Sequence, residues 1–124
     1  MKVSQEEFDL IVKRSISRIP RELRRHLENV LISVRKRPSR TLLKEMGVPP
    51  NETILGVYRG VSLNERSVTA PPLYPDTIFI FQEPLEDLCD TAGEMEKQIE
   101  MTVVHEIAHY FGISEARLAD LGYG

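Results

Sequence analysis

Two histidines and a glutamate fall within five positions in His105-Glu106-Ile107-Ala108-His109, and that spacing has a chemical meaning. On a helix at 100° per residue, His105 and His109 lie about 40° apart and one turn, about 6 Å, along the axis. Glu106 falls within the same arc of roughly 100°. The opposite arc collects Val103, Val104, Ile107, Ala108 and Phe111, an apolar face suited to anchoring the helix in a core. Zinc hydrolases need two neutral nitrogen ligands and a carboxylate that can take a proton from an activated water. This H-E-x-x-H pattern supplies all three on one side of a helix. The competing interpretation is a purely structural pair of histidines.

Zinc also needs a third protein ligand and an open fourth position. The chain continues Tyr110-Phe111-Gly112-Ile113-Ser114-Glu115. Gly112 suits a helix C-terminus, where a left-handed residue reverses the chain at little steric cost. A turn there swings Glu115 back toward the histidines, giving H-E-x-x-H-x-x-G-x-x-E. Glu115 is therefore the expected third ligand, with Asp120, the other acidic residue downstream, in reserve. Tyr123, Tyr110, Arg59 and Arg66 are all able to donate to an oxyanion, and the sequence selects none of them.

The string from His105 to Tyr123 resembles the C-terminal end of the small bacterial zincin-like metallopeptidases, also called minimal metalloproteases. Residues 56–67, Gly-Val-Tyr-Arg-Gly-Val-Ser-Leu-Asn-Glu-Arg-Ser, are similar to that family's middle segment. The resemblance implies an α+β zincin-like fold with the metal on the H-E-x-x-H helix. By the motif, His105 and His109 carry over as ligands and Glu106 as general base. An acidic residue, most often Asp, stands in the family at the position of Glu115. The expected activity is zinc-dependent hydrolysis of peptide bonds in a peptide or protein substrate. A catalytically silent metal-binding or protein-binding module is the alternative.

The elements that must position these groups can be read in outline. Ser4 to Glu7 fits a capping box, and Phe8, Ile11, Val12, Ile16 and Ile19 follow at helical spacing, predicting a helix over 5–17 that stops before Pro20. A shorter helical turn follows over 21–28, where Arg18, Arg21, Arg24 and Arg25 form a solvated face and His26 is a surface histidine. Residues 30–37 read as a strand ended by Pro38, and 41–46 as a short helix stopped by Gly47. Residues 54–61 carry two glycines that suit an edge strand or bulge, and 62–75 is a proline-containing loop. The β-branched and aromatic run over 76–81 is the clearest strand, continuous enough to be buried on both faces. Pro84 opens a short helix to about Cys89. The motif helix begins near Glu94, and a last helix covers about 114–121. Three strands without βαβ alternation predict a small α+β domain.

At 124 residues with 41% hydrophobic and 28% charged content, the chain fits one domain spanning 1–124 with a modest core. It has no apolar run long enough for a membrane span and no signal-peptide pattern. Its single Cys89 can form no internal disulfide, so a cytoplasmic location is expected. Residues 1–40 hold eleven Lys and Arg against five acidic residues, while 41–124 hold five against fourteen. A basic first third can mark a nucleic-acid or protein-binding adaptor. With no aromatic interleaving or nucleic-acid motif beside it, nucleic acid is disfavoured, and attraction between the two halves within one fold is the preferred reading.

Overall fold

The computed structural model describes residues 1–60 and 76–124; the loop expected over 62–75 lies outside them. Ser4 caps the first helix, α1 (Gln5–Arg18), by accepting from the Glu7 N–H at 3.1 Å. Extended backbone at Ile19 and Pro20 ends it. A single turn, α2 (Arg21–Arg24), runs into a 3-10 turn over Arg25–Leu27. Strand β1 covers Val30–Arg35, and α3 (Arg40–Glu45) starts on a Ser39 cap. Strands β2 (Gly56–Arg59) and β3 (Asp76–Phe81) are followed by α4 (Gln82–Leu88). The 20-residue α5 (Ala92–Phe111) begins on a Thr91 cap, slightly earlier than the periodicity indicated. The last helix, α6 (Glu115–Asp120), is capped by Ser114.

Strand β3 is the centre of the sheet, with the order β1-β3-β2. Strand β1 lies parallel to it, with Val30 opposite Asp76, and β2 lies antiparallel, with Tyr58 opposite Ile78. The result is the expected α+β arrangement. Ile78 and Ile80 are fully buried against α5, whereas Phe79 on the other face is only half-buried, beneath the Arg35 guanidinium at 5.3 Å. Burial on both faces is therefore reached only at the end of the strand, at Ile80 and Phe81, and not throughout.

Phe8 and Ile11 of α1 join Met95, Ile99, Val103, Val104 and Ile107 of α5 in the main hydrophobic cluster, with Leu85, Leu118 and the free Cys89. Each fully buried aliphatic side chain of this kind contributes about 1.5–3 kcal/mol over its exposed state. Polar contacts fix the rotation of α5 against α1. The Ser15 hydroxyl is shared between the Ile11 and Glu96 carbonyls at 2.7 and 2.9 Å. Arg14 and Arg18 reach Glu96, and Arg18 also lies 3.0 Å from Glu100. Arg18 is thus docked on α5 rather than simply solvated. These pairs realise the expected attraction between the basic and acidic parts of the chain. No helix among the described residues is long and apolar enough to cross a membrane.

Candidate metal and hydrolytic site

Helix α5 presents its motif as the 100° spacing requires. Val103, Val104, Ile107 and Ala108 face the core, while His105 and His109 are exposed on the other side and Glu106 is half-buried between them. Phe111 departs from the expected buried face: it is 40% exposed. At the frayed end of the helix it instead meets Tyr58, Tyr110 and His26 in an aromatic group. His26, expected on the surface, lies with its ring centroid 4.5 Å from that of Phe111.

Gly112 ends α5 at φ 71°, and the Ile113 N–H closes the turn on the Ala108 carbonyl at 2.9 Å. That left-handed cap is what the sequence required of Gly112. It sends the chain back so that Ser114 and Glu115 line the same cavity as His105, Glu106 and His109, a space of about 950 Å³. Asp120, at the far end of α6, is not among the residues lining it.

Strand β2 forms the opposite wall. A side chain at Gly56 would place its Cβ 2.8 Å from the Phe79 carbonyl and 2.9 Å from the Thr102 methyl, so glycine here lets α5 pack directly on the strand. The Phe81 N–H donates to the Leu55 carbonyl at 2.9 Å. With Val57 opposite Phe79, the antiparallel alternation then turns the backbone groups of Gly56 and Tyr58 away from β3, toward the helix. The Tyr58 N–H uses this position to hydrogen-bond the Glu106 carboxylate. Burial pushes the Glu106 carboxyl above the ordinary carboxylate range, an effect opposed by that N–H and by His109 and His105. A carboxyl shifted this way is a stronger base than an ordinary carboxylate.

Whether the site suits a metal turns on its donors. His105 Nδ1 lies 2.7 Å from the Met101 carbonyl. An N–H donated there leaves Nε2 with a free lone pair facing the cavity side, the usual way a ligating imidazole is oriented. Two imidazoles one turn apart and a carboxylate on a shared wall are the right donor types for zinc. Among the described residues, however, no three His, Cys, Asp or Glu side chains gather closely enough to hold a metal ion. The histidine pair is ready; Glu115 is close by but not drawn to it.

The possible oxyanion donors now separate. The Tyr123 hydroxyl donates to Glu100 at 2.7 Å, away from the cavity, and burial with that contact pushes its phenol up. Tyr110 stacks on Tyr58 at 3.9 Å between centroids. Arg59 lines the cavity beside Met46 and lies 3.5 Å from Glu45. Arg66 lies outside the described residues. Sequence reading missed the Tyr58 amide and Met46. The glycines flanking Tyr58, which marked an edge strand, were the available signal for the first; nothing marked the second.

Residues 27–124 match the family model described as zincin-like metallopeptidase. Helix α1 precedes the matched segment. No curated protein matches the chain.

Proposed function

Because the chain belongs to the zincin-like metallopeptidase family, we propose that it is a zinc-dependent peptidase acting as a single domain, with Glu106 as its general base. The observation that carries this reading is the Glu106 carboxylate, held by the Tyr58 amide of a strand edge between two exposed histidines. His105 and His109 would hold the zinc, with Glu115 as third ligand. When bound, zinc supplies Lewis acidity and makes water a nucleophile near neutral pH.

The protein's own groups do the rest. The Met101 carbonyl fixes the His105 ring, and the Tyr58 N–H steadies Glu106. Glu106 takes the proton of the attacking water and returns it to the leaving amine, so that the carbonyl carbon gains oxygen as the C–N bond breaks. The outward carbonyl of Gly56 offers an extended peptide strand-like pairing across the cavity. A reducing, cytoplasmic setting accords with the single free thiol at Cys89.

A second reading, a silent module that keeps the fold for binding, is favoured by the absence of a gathered three-ligand cluster among the described residues. Zinc content per chain, measured on protein purified without chelator beside His109→Ala, decides between them. About one zinc in the wild type and almost none in the variant is the outcome expected of the peptidase. No zinc in either, even after reconstitution, leaves the silent module. Wild-type zinc affinity in Glu115→Ala would remove Glu115 from the ligand set.

A further inference from the structure

Among the described residues the sheet has a second open edge, on β1, opposite the one that faces Glu106. The Phe81 N–H points to the β2 side, onto the Leu55 carbonyl, so Phe79, opposite Val57, also faces β2, and Ile78 and Ile80 face β1. Backbone groups alternate in direction along a strand. In the parallel pair, with Ile32 opposite Ile78 and Val34 opposite Ile80, Ile78 and Ile80 bond the residues flanking their partners, Leu31, Ser33 and Arg35. The N–H and C=O groups of Val30, Ile32 and Val34 therefore face outward, and the Val34 carbonyl accepts from the neighbouring Arg35 guanidinium at 3.3 Å. No strand among the described residues pairs with them.

Helix α1 overhangs this edge. Between them lies a groove of about 830 Å³ lined by the apolar Val12, Ile16 and Leu31. Past Val34 it meets a second hollow of about 500 Å³ bordered by Lys2, Arg35 and Lys36. Leu31 is 54% exposed, an apolar side chain on an edge that proteins normally blunt or cover.

The charge of the groove is one-sided. Lys13 and Arg24 line the first hollow, and Lys2, Lys13 and Lys36 form no ion pair with any described residue. Two of the nearby carboxylates are already engaged. Glu83 pairs with Arg37 at 2.7 Å, and Glu86 accepts the Val3 N–H at 2.9 Å. Asp9 is the remaining acidic residue of the lining.

We propose that this groove docks an extended acidic peptide segment of a partner protein, which adds to β1 as a fourth strand. Its backbone pairs with Val30, Ile32 and Val34. Apolar residues at alternate positions settle on Val12 and Ile16 beneath α1, and acidic ones meet Lys13 and Lys36. A second copy of the chain would bring its own Arg35, Lys36 and Arg37 against the same cations, so charge disfavours self-pairing. A nucleic acid would find no exposed aromatic platform in the lining and no use for the strand's free backbone groups. The docking is independent of the hydrolytic reading, because it uses the other edge of the sheet.

The test is a titration of the ¹⁵N-labelled full chain with the peptide acetyl-Glu-Val-Glu-Val-Glu-Val-Glu-amide, followed by amide spectra and hydrogen exchange. The amides of Val30, Ile32 and Val34 should shift and gain protection. Ile32→Pro removes one outward N–H while sparing the inward ladder, and should weaken binding by about tenfold or more. Lys13→Glu combined with Lys36→Glu should do the same with the strand backbone intact. Absence of binding, shifts confined to β2 and α5, or undiminished binding in both variants overturns the proposal. So does concentration-dependent dimerisation through the same amides without peptide, or preferential binding of a single-stranded oligonucleotide that weakens steeply with salt.

Discussion

From Ala92 to Met101, helix α5 is held by polar contacts: Glu96 and Glu100 meet Arg14 and Arg18, Ser15 reaches the Glu96 carbonyl, and Tyr123 closes on Glu100. From Thr102 to Phe111 the same helix forms no ion pair with any described residue, and Val103, Val104, Ile107 and Ala108 hold it from beneath. The first half sets the rotation of the helix and the second half uses it. Arginines such as Arg14 and Arg18 placed beside His105 would compete for Glu106 and repel a cation. Keeping them more than one turn away leaves the imidazoles unencumbered.

The comparison predicts that damage to the two halves separates function from stability. Glu106→Gln should lower peptide hydrolysis by about 10²–10⁴-fold, with thermal unfolding unmoved; a parallel fall in melting temperature would show that Glu106 is structural. Ile99→Ala, in the buttressing half, should cost about 2–5 kcal/mol in urea unfolding yet leave zinc content per folded chain unchanged. Ser15→Ala should cost about 1 kcal/mol by the same measurement; a null result would assign helix rotation to the core alone. The smallest effect lies outside α5. Arg117 holds the Glu22 carboxyl below its ordinary range. The stabilisation is present above the ordinary carboxylate pKa and is lost as pH falls through the lower folded value. Wild type and Glu22→Gln should therefore differ slightly at neutral pH and converge in acid. A difference that widens in acid would refute the assignment.

Much of this was legible in the chain. The Ser4 cap, the strand at 76–81 and the Gly112 turn are local signals, written in residues next to the structure they form. The partner of Glu106 was not legible, because a backbone amide carries no side-chain signature and Tyr58 lies far from the motif in sequence. Phe111 misled for a related reason. Helical periodicity assigns a face but does not say where the core beneath that face ends. His26 and Arg18 were read as surface groups because their partners, Phe111 and Glu96 with Glu100, are long-range contacts. The placement of Glu115 followed from the turn, whereas its convergence with the histidines depends on side-chain reach that sequence spacing does not fix.

The parallel pairing of β1 with β3, Val30 opposite Asp76, also has a consequence in time. That pairing closes over all the intervening chain, β2 included, and such long-range closure is slow. Helix α5 is local, so its imidazole pair exists as soon as the helix does. The Tyr58 amide reaches Glu106 only after β2 has found β3. The chain has no tryptophan, but the Tyr58–Tyr110 stack reports that late event. In a refolding experiment far-ultraviolet circular dichroism should therefore recover ahead of tyrosine fluorescence. Under the peptidase reading, zinc added at the start would then meet His105 and His109 before Glu106 is in place.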